Sequence, residues 1–217
     1  MNRLYESDEF DIWGQTNDLI NCNTFLVWFK GLSHAVVIDP GSNSQSIVDQ
    51  IKKFDISMID VFLTHGHFDH VLGVNPLIRI FDTRVFMNPK DVKHLKRNNF
   101  YLKALQLKYK VESFDHKPFP IDDERLQHIK VIEAPGHTEG SVLFSVGPCI
   151  FVGDLLMRDI VFSATVPGHD KTRWTKTIND VWPILNNHEK IFLGHGEPVV
   201  PNELLANNDE LRNLLRL

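Results

Sequence analysis

Two cysteines in 217 residues, Cys22 and Cys149, are too few for a disulfide framework, and each lies in an apolar, strand-like run that reads as buried core rather than as half of a metal pair. Long apolar runs are missing as well, so no segment reaches the length of a membrane span. The opening "MNRLYESDEFDIW" is polar and acidic where a secretory leader would run basic and then apolar, which makes the cytoplasm the expected location and removes a membrane as the expected partner. Positive charge is in deficit: 23 Lys and Arg against 28 Asp and Glu leave −5, which argues against a nucleic-acid partner. Linkers rich in Pro, Gly, Ser or charge are also absent, so residues 1–217 read as one domain. Oligomeric state has no signature in the sequence.

What is present is a sheet-forming chain. The runs "NTFLVWF" at 23–29, "AVVID" at 35–39, "MIDVFLT" at 58–64 and "TRVFM" at 83–87 are rich in β-branched and aromatic residues and predict strands. Between the second and third, "SNSQSIVDQIKKF" offers capping residues and places Ile47, Val48 and Ile51 at helical spacing. The second half repeats the alternation with strands at 129–134, 141–146, 149–154 and 190–196. Residues 90–110 predict a basic amphipathic helix lying on the body of the protein, preferred over a nucleic-acid patch, and 201–217 predict one closing helix with leucines at 204, 205, 211, 214 and 215.

The chemistry gathers where strands end. "THGHFDH" sets His65, His67, Asp69 and His70 directly after a strand, and in an extended or loosely turning segment His65 and His67 present imidazoles to one point while Asp69 and His70 aim at its neighbour. "APGHTEGS" sets His137 between glycines, "FVGD" ends on Asp154, and "FLGHGEP" carries His195. Imidazole and carboxylate donors suit zinc, iron or manganese, and this set contains no thiolate of the kind a closed structural site favours. Counted as ligands, His65, His67 and His137 can hold one ion, Asp69, His70 and His195 a second, and Asp154 can bridge them, leaving room for solvent as a catalytic centre requires.

In order along the chain, "VIDPG" at 37–41, "THGHFDHVLG" at 64–73, "APGHTEGS" at 134–141, "FVGD" at 151–154 and "GHGEP" at 194–198 resemble the metallo-β-lactamase superfamily. That resemblance implies an α/β fold, an αββα sandwich with the metals at one edge between two sheets. It also implies His65, His67, His137 and Asp154 on one ion and Asp69, His70, Asp154 and His195 on the other. "HTEGS" and "FVGD" look most like the glyoxalase II branch, which hydrolyses thioesters such as hydroxyacyl-glutathione. Asp154 sets the chain apart from β-lactamases that lack the bridging carboxylate, and His67 from flavodiiron relatives that carry Glu there. Two features depart from long glyoxalase II enzymes: residues 155–174 lack their glutathione-contacting basic and aromatic residues, and little chain follows "GHGEP".

The reaction expected on this resemblance is hydrolysis of a small-molecule thioester or another activated acyl bond such as a lactone, by a hydroxide bridging two divalent ions, expected to be zinc, with iron or manganese as alternatives. Asp69 and Asp154 are the candidate catalytic carboxylates. Asp39 is either a partner to a ligand histidine or the brace of the turn after it. The segment 155–176 follows Asp154, so Arg158, His169, Lys171, Arg173 and Trp174 are candidate substrate contacts, with an ordinary surface loop as the competing reading. His34, His94, His116, His128 and His188 stand outside any motif and read as packing or surface residues. Competing functions are a mononuclear iron persulfide dioxygenase of the same fold, using His65, His137 and Asp154, a phosphodiesterase, and a noncatalytic scaffold.

Overall fold

The computed structural model describes residues 1–119, 123–158 and 167–216. It groups into two compact units, Met1–Met87 with Val92–Pro118, and Asn88–Asp91 with Phe119–Leu217.

The first unit carries a six-stranded sheet in the order β1-β2-β3-β4-β5-β6. Its strands are β1 (Asn2–Glu6), β2 (Phe10–Thr16), β3 (Asn23–Phe29), β4 (His34–Ile38), β5 (Met58–Phe62) and β6 (Asp82–Phe86). Pairing is antiparallel from β1 to β4 and parallel through β4, β5 and β6. The change of direction needs a crossover, and α1 (Gln45–Lys53) supplies it between β4 and β5. Ile47, Val48 and Ile51 of α1 are buried, as their spacing predicted, and join a core with Leu26, Val37, Val61, Val85 and Leu102. β1 and β2 were not anticipated. Their alternation is obscured by acidic residues, of which Asp11 is buried and pairs with Lys30 at 3.3 Å.

The second unit holds a four-stranded sheet in the order β10-β9-β8-β7, built from β7 (Ile129–Glu133), β8 (Val142–Val146), β9 (Cys149–Gly153) and β10 (Lys190–Leu193). β9 and β10 run parallel, and α5 (Lys171–Leu185) lies between them in the chain. Trp174, Ile178, Val181 and Leu185 of α5 are buried at helical spacing in a core with Leu143, Ile150 and Leu193.

Three boundaries differ from expectation. The basic helix, α4 (Val92–Ala104), stops short of 110 because Gln106 takes a left-handed φ of 57° beyond its end. Short helices α2 (Phe68–Val71) and α3 (Val74–Ile78) precede it. The closing helix is two, α6 (Pro201–Asn207) and α7 (Asp209–Leu215). Asn208 divides them, its side chain accepting from Leu211 N at 2.9 Å, so a local cap outcompetes the continuous leucine pattern. Among the described residues no helix is long and apolar enough to cross a membrane. Cys22 and Cys149 are buried free thiols, and burial pushes the Cys149 thiol up to about 12.

One buried ionic group fastens β4, β5 and β6. Asp60, wholly buried, meets His34 Nε2 at 2.8 Å and accepts from Arg84 Nε at 2.6 Å. Burial by itself would raise this carboxyl, but hydrogen bonds and charge from His34 and Arg84 outweigh it and hold Asp60 below the ordinary carboxylate range. The Asp60→Asn variant is expected to lose about 3 kcal/mol at neutral pH in denaturant titrations, because it leaves the half-buried Arg84 guanidinium and the buried His34 ring without their carboxylate. A depressed carboxylate stabilises fully above its unfolded value, so the gap between wild type and variant should narrow as pH falls below about 4. A gap that stays constant down to about pH 2 would contradict this account.

Candidate functional site

In the first unit the site is built on the turns after β4 and β5. Asp39 follows β4 with a left-handed φ of 49°. Its Oδ1 accepts from Thr64 N at 2.8 Å, and its Oδ2 accepts from Thr64 Oγ1 at 2.6 Å and lies 3.0 Å from His70 Nδ1. Asp39 therefore holds the turn and at the same time contacts the His70 ring. His70, with Nδ1 committed to Asp39, turns Nε2 toward Asp69 Oδ2 at 3.4 Å. Thr64 Oγ1 lies 3.0 Å from His65 Nδ1, which directs the other ring nitrogen of His65 away from the strand. The ring of His65 lies 4.6 Å from that of His67 and 4.2 Å from that of His70, centroid to centroid. Asp69 and His70 sit on the short helix α2 rather than in extended chain, with His67 as its extended N-cap. Gly73 lets the turns meet: a Cβ there would lie 2.5 Å from Gly41 O.

In the second unit the donors follow β7, β9 and β10. His137 Nε2 lies 3.5 Å from Asp154 Oδ2, and His195 Nε2 lies 3.5 Å from Asp154 Oδ1. The carboxylate thus offers one oxygen to each imidazole. Gly194 makes this approach possible, since a Cβ there would lie 2.1 Å from Asp154 Oδ1. Asp91, wholly buried, braces the His137 loop by accepting from Thr138 Oγ1 at 2.7 Å and from Gly140 N at 2.8 Å.

The family model of the Metallo-beta-lactamase superfamily matches residues 17–195. The chain belongs to the metallo-β-lactamase superfamily. It is 26% identical over 161 residues to the probable polyketide biosynthesis zinc-dependent hydrolase PksB of Bacillus subtilis (strain 168), covering 74% of this chain and 67% of that protein. It is 30% identical over 144 residues to the hydroxyacylglutathione hydrolase of Blochmanniella pennsylvanica (strain BPEN), covering 65% of this chain and 49% of that enzyme, about half its length. Among solved structures, TTHA1623 in a di-iron-bound form superposes with a TM-score of 0.80 at 26% identity, over 91% of this chain and 98% of that one. The fold is the metallo-β-lactamase fold, α/β with mixed sheets and flanking helices.

Proteins of this superfamily bind divalent metals, and the donors fit such ions. They are imidazoles and carboxylates, and all but His195 are at least nine-tenths buried at the side chain. The 3.5 Å contacts of Asp154 are longer than a hydrogen bond, while two donors about 2.1 Å from one tetrahedral ion stand about 3.4 Å apart.

The substrate candidates fare differently. Trp174 is 1% exposed and donates Nε1–H to Leu155 O at 2.8 Å, so it is a core residue and not a substrate contact. Its aromatic bulk fits the helix–sheet interface, and α5 replaces the loop expected there. Arg158 is engaged by Glu203 of α6 in an ion pair, which makes it a brace. Lys171 and Arg173 are exposed on the first turn of α5, and burial lowers the His169 imidazole below its ordinary range. Residues 159–166 of the expected loop lie outside the described residues.

Several neighbours of the histidine loop carried no sequence signal. His94 of α4 is buried with its ring edge-on to His67 at 5.1 Å, and Asn98 donates to Gly66 O at 3.0 Å. Cys22 Sγ lies within 4.8 Å of the donor atoms of Asp69 and His70, and it donates to Asn23 O at 3.5 Å. Asp91 stands 47 residues from Thr138, a separation that no local pattern reveals. Replacing Asp91 by Ala strands the buried Gly140 N–H and leaves the Thr138 hydroxyl only Ser141 Oγ, and should lower unfolding free energy by about 2 kcal/mol in urea titrations. A wild-type midpoint for that variant would remove Asp91 as the brace.

Proposed function

We propose that the chain is a dinuclear metallo-hydrolase acting on a thioester or similarly activated acyl bond, in the manner of the glyoxalase II branch. One divalent ion would be held by His65, His67, His137 and Asp154, and the other by Asp69, His70, Asp154 and His195. The observation that carries this reading is the Asp154 carboxylate, with one oxygen 3.5 Å from the imidazole of His137 and the other 3.5 Å from that of His195. Support also comes from the named activities of the relatives, a zinc-dependent hydrolase and a hydroxyacylglutathione hydrolase, and from the di-iron form of TTHA1623.

A pair of such ions, when bound, supplies Lewis acidity at a carbonyl and a solvent nucleophile at neutral pH. The protein residues set the stage for it. Asp69, with Oδ2 3.4 Å from His70 Nε2, would orient the attacking water and take up its proton at a carboxylate oxygen. Asp39 and Thr64 fix which nitrogen His70 and His65 present, a role that elsewhere commonly changes metal affinity or activity by about 10–100-fold. Burial of the histidine loop excludes bulk water and strengthens these contacts. Lys171, Arg173 and His169 are proposed contacts for an anionic part of the substrate.

Metal content by plasma mass spectrometry, on protein purified without added metal, tests the reading first. Close to two zinc ions, or two ions in a zinc, iron and manganese mixture, are expected per chain, together with turnover of S-lactoylglutathione or an acyl-N-acetylcysteamine. A single iron per chain with oxygen consumption on glutathione persulfide would replace it by the dioxygenase. The Gly194→Ala variant should fold yet bind fewer than two ions, because the added methyl displaces the Asp154 carboxylate; full occupancy would refute the bridging role. Asp39→Ala should weaken metal binding about 10–100-fold in chelator competition, and an unchanged affinity would limit Asp39 to holding the turn.

A further inference from the structure

Charge along this acidic chain is strongly segregated. Residues 90–110 hold seven of its 23 Lys and Arg but one of its 28 Asp and Glu, so this segment carries +6 and the remainder −11. The single acid, Asp91, is wholly buried and turned to Thr138 and Gly140. On α4 the cations form a stripe: Lys93, Lys96 and Arg97 are exposed at three- and four-residue spacing and Lys103 is exposed seven residues, two turns, beyond Lys96, which sets them on one side of a helix. Phe100 stands in the middle of that stripe with 70% of its surface exposed, and Leu105 follows at 58%. Apart from an edge-on contact with Tyr101 at 5.8 Å, the Phe100 ring is open to solvent, while His94, Asn98 and Leu102 fill the buried side of the same helix.

Beside the stripe runs a groove of about 330 Å³ with apolar walls from Val92, Leu95, Val111 and Phe114 and with Lys96 and Asn99 at its rim. Its one acid, Glu112, is held by Arg79 at 2.6 Å. The groove is bounded on its far side by the chain at 111–116, which Asn99 ties to α4 through hydrogen bonds of 2.8 Å to Val111 N and Val111 O.

We propose that the outer face of α4 is a docking surface for an acidic protein partner, which lays carboxylates along Lys93, Lys96, Arg97 and Lys103 and seats an apolar side chain in the groove beside Phe100. Charge complementarity selects the partner's sign, because the four cations of this face belong to a segment of +6 in a chain whose remainder carries −11, so an acidic surface is attracted here and not by the net charge of the rest. The groove selects a protein over a lipid surface or a polynucleotide, since a walled apolar cleft receives a protruding side chain whereas a bilayer or a phosphate backbone needs only the cations. The location adds a consequence. The buried side of α4 bears on the histidine loop through His94 and Asn98, so a partner docked on α4 stands one helix away from His67.

Fluorescence anisotropy with the full chain tests this, using as probe a labelled synthetic helical peptide of about four turns, rich in Glu, with one central Leu. Saturable binding is expected, weakening about tenfold between about 50 and 300 mM salt. It should be lost in the Lys93→Glu/Lys96→Glu/Arg97→Glu variant, and weakened severalfold by Phe100→Ser or by replacing the peptide's Leu with Ser. Each altered residue of the protein is exposed, and circular dichroism verifies that the variants stay folded. Binding that survives the charge reversal, or no saturable binding, overturns the proposal. So does tighter binding to phosphatidylcholine vesicles with about one-third phosphatidylglycerol, or to a single-stranded oligonucleotide, since either would assign the face to lipid or nucleic acid.

Discussion

The carboxylate of Asp39 governs the geometry of the histidine loop. It follows the buried strand β4, itself in a left-handed conformation, and spends both oxygens on the neighbouring turn, one on the backbone of Thr64 and one on its hydroxyl and on His70. A carboxyl group this deeply buried is stable only when its hydrogen bonds are made, so the strand end, the turn and the ring are held together as one object. Thr64 passes the constraint on to His65. The orientation of two imidazoles therefore follows from one carboxylate that is not itself among the proposed metal ligands.

The second unit uses the same device with different parts. Asp91 is a buried carboxylate that satisfies Thr138 and Gly140 and thereby shapes the loop bearing His137. Asp154 and His195 follow β9 and β10, and Gly194 leaves space for the carboxylate between two rings. In both units rigid strands carry the donors and buried carboxylates aim them. This division of labour suits a metal centre, where a displacement of a few tenths of an ångström changes coordination.

α4 joins two roles in one element. Its buried side, with His94, Asn98 and Leu102, belongs to the histidine loop and the core, while its outer side gathers most of the segment's positive charge around an exposed ring. Helical geometry makes this possible because residues three or four apart share a face and the intervening ones face elsewhere.

The candidate donor residues stand out in the sequence because each follows a strand and is flanked by glycines or short polar turns. The strands themselves were legible from β-branched runs, and α1 from the spacing of Ile47, Val48 and Ile51. β1 and β2 were hidden by acidic residues whose partners lie across the sheet, and Trp174 was misplaced because its neighbours read as a polar loop while helix packing buries its ring. The single closing helix failed at Asn208, where a side-chain cap overrode leucine periodicity. What the sequence by itself determined is which residue types stand at which strand ends, since periodicity and turn chemistry are local properties. Only the tertiary structure decided that Asp39 would orient His70, that Asp91 would brace the loop 47 residues away, and that Asp154 would divide its oxygens between His137 and His195. Those contacts join segments distant along the chain, and their partners are set by how strands and turns pack, which no local pattern encodes.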